Sequence, residues 1–187
     1  MDAVLQFDDV AHRYTLDGRE LISVTTALGD AGLIDRQWFN DGAAERGTKV
    51  HAAVQAFHAT GDLPEDETAA FFDAYLAFQM DAGFDVEASE ERVCDPLLGY
   101  AGTLDLRGRF RAQVAGVDLI DIKTGTVPPH VGYQTAAYAR LVTGPVRRWA
   151  LHLKANGRYQ LVPQVKRTDE RVFLAALLVA QAKRGWL

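Results

Sequence analysis

Two aspartates and a lysine stand out in the 187-residue chain. Gly102-Thr-Leu-Asp-Leu106 is followed, sixteen residues after Asp105, by Asp121-Ile-Lys-Thr-Gly125. As a strand, Val117-Asp-Leu-Ile-Asp-Ile-Lys123 puts residues 117, 119, 121 and 123 on one face. Asp121 and Lys123 then point the same way, while Val117 and Leu119 continue that face inward. A carboxylate and an ammonium on an inward-facing strand end are costly to bury without a partner or a metal. Two carboxylates, Asp105 and Asp121, around one hard divalent cation relieve both burial and mutual repulsion. Mg²⁺ or Mn²⁺ suits such an all-oxygen site, which the backbone carbonyl of Ile122 and a further glutamate complete. Lys123 beside the cation would orient a water or stabilise a pentacoordinate phosphate. A surface ion pair between Asp121 and Lys123 fits the same spacing, because Asp-x-Lys is a common tripeptide.

The flanking pattern predicts what must position these groups. Residues 4–8 and 12–16 form a short N-terminal hairpin leading into an Asp17-Gly18 turn. Ser23-Val-Thr-Thr offers caps for a short helix ending near Gly29 or Gly32. Phe39, Ala43, Val50, Val54 and Phe57 recur at helical steps over 36–60, with His51 at the edge of the stripe. A second helix over 65–82 packs through Phe71, Phe72, Tyr75 and Leu76, and Gly83 caps it. Strands over 84–88 and 90–94 come next, and strands 100–113 and 117–123 pair as a hairpin around Val114-Ala-Gly116. In that reading Asp105 lies mid-strand, with Thr103 and Arg107 on its own face. Pro128-Pro129 opens a helix over 130–143; strands 148–154 and 159–165 turn at Asn156-Gly157; Thr168 caps a last helix to 183. This order predicts an α/β sandwich with a central mixed sheet. Without a repeat or linker, residues 1–187 read as one domain.

Composition bounds the function. No apolar run approaches the ~18 residues of a membrane span. The N-terminus lacks the basic and apolar regions of a signal peptide, so a cytoplasmic protein is expected. The single cysteine, Cys94, excludes an internal disulfide framework and a four-cysteine cluster, and reads as a buried thiol. Net charge is −5, but residues 1–100 carry 20 acids against 6 Lys/Arg, and residues 101–187 carry 5 against 14. A basic half around a carboxylate pair can draw in a polyanion while the carboxylates hold cations. Arg107, Arg109, Arg140, Arg147, Arg148 and Lys154 are the candidates for tracking it, although taken individually most of them read as solvated surface charge.

Gly99-Tyr-Ala-Gly-Thr-Leu-Asp105, Leu119-Ile-Asp-Ile-Lys-Thr-Gly125 and Gln134-x-x-x-Tyr138 resemble, in this order, the PD-(D/E)xK phosphodiesterase superfamily in its RecB-like and phage-exonuclease branch. Arg46-Gly-Thr-Lys-Val-His51 and Ser89-Glu-Glu-Arg-Val93 look like the same branch, so the resemblance spans about residues 22–143. It implies a restriction-endonuclease-like fold with Asp105, Asp121 and Lys123 as catalytic core. Asp105 and Asp121 would hold Mg²⁺ or Mn²⁺, and His51 would be an additional helical ligand, typically for Mn²⁺. Glu90 would be the strand glutamate that contacts the metal directly or through water. Glu91 competes with Glu90, because strand parity turns one of them inward and the register is open. Gln134 and Tyr138, four residues apart, share a helix face. By resemblance they look back on the site toward a phosphate or Lys123; otherwise they read as a buried polar pair.

The activity implied by the resemblance is that of a divalent-metal-dependent DNA nuclease, an exonuclease of phage-type recombination, repair or replication. It would act with a helicase or a single-strand annealing protein, and as a homo-oligomer if it forms a processive ring. The lone cysteine separates this chain from the cluster-bearing relatives. The other classes these residues allow are a catalytically idle DNA-binding or assembly module on the same fold and a hydrolase of small phosphoesters.

Overall fold

A computed structural model describes residues 4–34, 41–113 and 115–187. The expectations for the residues before Val4, for Phe39 and the start of its helix, and for Val114 lie outside them. The elements are β1 (Leu5–Asp8), β2 (Arg13–Leu16), β3 (Arg19–Ser23), α1 (Val24–Asp30), α2 (Asp41–Thr60), α3 (Ala69–Ala82), β4 (Phe84–Asp95), β5 (Tyr100–Phe110), β6 (Val117–Lys123), α4 (His130–Ala139), β7 (Val146–Leu153), β8 (Tyr159–Pro163) and α5 (Asp169–Lys183). Eight strands make one mixed sheet, parallel at β3/β5 and β6/β7 and antiparallel elsewhere. Val50 and Val54 of α2 and Phe71, Phe72, Tyr75 and Phe78 of α3 pack one cluster with Leu106, Ile120, Ile122 and Leu151 of the sheet. Val24 and Leu28 of α1, Ala137 and Tyr138 of α4, and Phe173 and Leu177 of α5 pack the other, with Tyr100, Leu104 and Leu119. This is the α/β sandwich with a central mixed sheet that the element order predicts.

Local chemistry explains most boundaries. Ser23 Oγ accepts the Thr26 N–H at 3.0 Å and starts α1. Asp66 Oδ1 accepts from Thr68 N and Thr68 Oγ1 at 2.8 and 2.6 Å, which holds the chain in a turn and delays α3 to Ala69. Gly83, at φ +58, ends that helix. Beyond the Asp17-Gly18 reversal lies a third strand, β3, so the predicted hairpin is a three-stranded meander. Leu21 packs under the hairpin and Ile22 in the α1/α4/α5 cluster. Two consecutive buried residues on opposite faces leave no alternating polarity to read.

One strand organises the site. β5 pairs with β4 along its length, but its other edge changes partner. At Tyr100 and Ala101 that neighbour is β3, and from Leu106 to Gly108 it is β6. Residues 102–105 lie in the fork between. The β5/β6 register, Leu106 opposite Ile120, places Asp105 opposite Asp121 one step beyond the last ladder pair. The predicted hairpin therefore forms in its lower half, and its open end is where both carboxylates stand.

Candidate active site

Asp105 mends the fork. Its Oδ2 accepts the Ile122 backbone N–H at 2.6 Å, in place of the ladder bond that β5 no longer supplies. Two residues apart on one strand, Leu104 belongs to the α4/α5 cluster and Leu106 to the α2/α3 cluster. Regular alternation would put both on one face, so the pleat slips at Asp105, although the β4/β5 register is the same on either side of it. Opposite it, Glu90 has φ +50, a conformation that costs a non-glycine residue strain and is found preferentially at functional sites. The slip corrects the expectation that Arg107 shares the face of Asp105. Arg107 instead binds Glu91 (2.6 Å) and Glu87 (2.8 Å).

The same irregularity answers the Glu90/Glu91 question of placement. Glu90 Oε1 lies 3.0 Å from His51 Nδ1, and Glu91 is held by Arg107. His51, on α2, also sets Nε2 3.2 Å from the Ile122 carbonyl and Nδ1 3.6 Å from Asp105 Oδ1. Both ring nitrogens thus face acceptors. Burial disfavours the imidazolium, but Asp105 and Glu90 outweigh it and raise His51 to about 9.

On the α4 side of β6, Lys123 Nζ lies 2.6 Å from Asp121 Oδ2. Beyond this ion pair the Asp121 carboxylate has no partner among the described residues, and its Oδ1 is buried without a hydrogen bond. Burial pushes Asp121 up to about 6 and also raises Asp105. Burial works against the Lys123 ammonium, yet Asp121, Asp105 and Glu90 hold its pKa above the usual value. Gln134 Nε2 donates to Tyr138 Oη at 3.4 Å, and burial raises the Tyr138 phenol well above its ordinary value, so it keeps its proton. Tyr138 lies over β5 at Gly102, where any Cβ would overlap its ring. That requirement on Gly102 is absent from the sequence pattern, although the glycine itself stands in the motif.

The structure thus brings His51, Glu90, Asp105 and Ile122 to one point, and Asp121, Lys123, Gln134 and Tyr138 to the neighbouring face. It does not bring the basic half with them. Arg109 pairs with Glu87, Arg140 with Glu170, Arg147 with Asp118 and Arg148 with Asp169. With Arg107, five of the six side chains expected to track a polyanion are occupied by the protein's own carboxylates. Cys94 is half-buried beneath the hairpin, and burial raises its thiol pKa.

The donor set fits a divalent cation. One atom each from His51, Glu90 and Asp105 lies within 4.8 Å of the others. Beside them Asp121 offers two buried oxygens, Oδ1 unpartnered and Oδ2 paired with Lys123. Three carboxylates and one imidazole suit a hard or borderline divalent ion, and His51 must release a proton to join it.

Fold and site together define an α/β protein with a buried carboxylate, histidine and lysine centre in a forked sheet. No family model and no curated protein matches the chain. Among solved structures it is similar to an alkaline exonuclease from Laribacter hongkongensis, at 14% identity over 88% of this chain and 92% of that one, with a TM-score of 0.35. The structure of the same exonuclease in complex with dAMP gives 12% identity, 89% and 90% coverage and a TM-score of 0.36. A likeness this distant decides nothing about the reaction. Among the described residues no helix is long and apolar enough to cross a membrane.

Proposed function

We propose that the chain is a divalent-metal-dependent deoxyribonuclease. The observation that carries this reading is the buried Asp121–Lys123 ion pair, with Asp121 Oδ1 unpartnered, on the strand beside the His51, Glu90 and Asp105 cluster. Asp105, Asp121, Glu90, His51 and the Ile122 carbonyl would hold Mg²⁺ or Mn²⁺. Bound there, the cation supplies charge against the phosphate and makes water acidic enough to attack. The chain's own residues do the rest. Asp105 fixes β6 through the Ile122 N–H and so sets the distance between the two carboxylates. The Lys123 ammonium, kept charged by its neighbours, orients the attacking water and stabilises charge building on the phosphoryl oxygens. Tyr138, protonated and steadied by Gln134, donates to a non-bridging oxygen. Water adds to phosphorus in line and gives its proton to solvent, the bond to the 3′ oxygen breaks, that oxygen takes a proton from solvent, and the products are a 5′-phosphate and a 3′-hydroxyl.

Action from an end, in phage-type recombination, repair or replication, rests on the sequence resemblance, as do a helicase or annealing partner and a ring. The deciding experiment is cleavage of end-labelled single- and double-stranded DNA with Mg²⁺, Mn²⁺ or chelator. Lys123→Ala and Asp121→Ala are each expected to lose at least about a hundredfold in rate, while still binding DNA. Binding without metal-dependent turnover by the unsubstituted chain would establish the idle module instead.

A further inference from the structure

A cavity of about 400 Å³ opens beside the centre, within the size range of small-ligand pockets. Glu90 of the metal cluster forms one wall, and Thr103, two residues from Asp105, is in its floor. Arg92 of β4 sets its guanidinium 5.1 Å over the Phe7 ring. Phe7 packs on Tyr14 with centroids 4.4 Å apart, and Tyr14 Oη and Thr103 Oγ1 are hydrogen-bonded at 2.7 Å. A stack of tyrosine, phenylalanine and guanidinium is thus tied to the strand that carries Asp105. Arg92 is exposed and, unlike Arg107, Arg109, Arg140, Arg147 and Arg148, has no carboxylate partner among the described residues. Gln55 and Asp9 complete the lining.

The charge balance decides what fits. With Asp9 and Glu90 against one arginine, the cavity repels a phosphate more than it attracts one. A planar, uncharged ring is different. A guanidinium plane stacks on nucleobases, and a carboxylate and an amide read the amino and ring-nitrogen positions of a base edge. We propose that this cavity is a nucleobase subsite. An unpaired base next to the scissile phosphodiester stacks on Arg92 and presents its edge to Gln55 and Asp9. Resting on the nuclease reading, the assignment specifies its substrate as a single strand or a frayed end, since a base inside a duplex stack cannot enter.

The test is binding of short single-stranded oligonucleotides by fluorescence anisotropy, in Lys123→Ala protein with Mg²⁺ so that no chain is cut. One abasic residue is walked along the oligonucleotide. At one position it is expected to weaken binding about tenfold, the worth of one stacked base. Adding Arg92→Ala is expected to cost the same on the intact oligonucleotide and to abolish sensitivity to the abasic position. Phe7→Leu, which keeps every charge, is expected to lose part of that affinity, and Arg171→Ala on α5 none. The subsite is overturned if no abasic position matters, if the Arg92→Ala and abasic losses add, or if the oligonucleotide does not bind. An additive loss with a shallower salt dependence identifies a phosphate contact instead. Because binding needs no turnover, failure of the unsubstituted chain to cleave DNA would remove the nuclease reading separately.

Discussion

The Asp121 carboxyl is buried where water cannot satisfy its charge. Burial lifts its carboxyl to about 6, so the metal-free native protein keeps a proton that the unfolded chain has released by about pH 4. An acid whose pKa is higher in the folded state makes stability fall as pH rises between the two values. The surface carboxylates with lowered pKa, such as Asp66 and Asp85, act in the opposite sense, so the comparison must be made against a variant. Chelated protein is expected to lose more stability between pH 4 and 6 than Asp121→Asn does, and Mn²⁺ is expected to close that gap for the native sequence. Denaturant titrations at each pH measure both. Parallel curves for the two proteins in chelator would mean that Asp121 is not desolvated as described.

At the level of elements, the site depends on a strand that changes neighbours, and Gly102 lies inside the fork. With no room for a Cβ beneath Tyr138, Gly102→Ala must push the ring off β5. Such overpacking typically costs about 1–3 kcal/mol, and thermal melting is expected to show that loss together with slower cleavage. Gly125→Ala is the companion, because nothing lies within 4 Å of its Cβ position; it should be near neutral. Helical periodicity, the Ser23 cap and the Asp17-Gly18 reversal were legible because each is local. The face shared by Asp121 and Lys123 was legible for the same reason. β3 was not, since both its faces are covered and its polarity does not alternate. Nor was the slip at Asp105 and Glu90, which lies where the neighbour of β5 changes from β3 to β6. That non-local event selects Glu90 over Glu91 at His51 and turns Arg107 away.

Over the whole molecule, the surplus of positive charge in residues 101–187 invites a polyanion, yet the fold uses much of it internally. Asp118 is fully buried and takes Arg147 through two bonds of 2.7 Å, the Trp149 indole N–H at 2.9 Å and the Phe110 N–H. This single carboxylate joins β5, β6 and β7. Removing one partner of a buried ion pair typically costs about 3–5 kcal/mol, because the remaining charge stays buried without compensation. Arg147 is partly exposed, so Arg147→Ala belongs at the lower end of that range, and denaturant melts should show about 3 kcal/mol. Its oligonucleotide affinity, measured below the melting transition, should stay that of the unsubstituted chain. Arg92→Ala is expected to do the reverse, losing affinity while melting normally. If Arg147→Ala also weakened binding with a reduced salt slope, the basic half would face the substrate after all. The two substitutions remove the same charge, so the contrast between them separates arginines that hold the sheet from the one that faces the cavity.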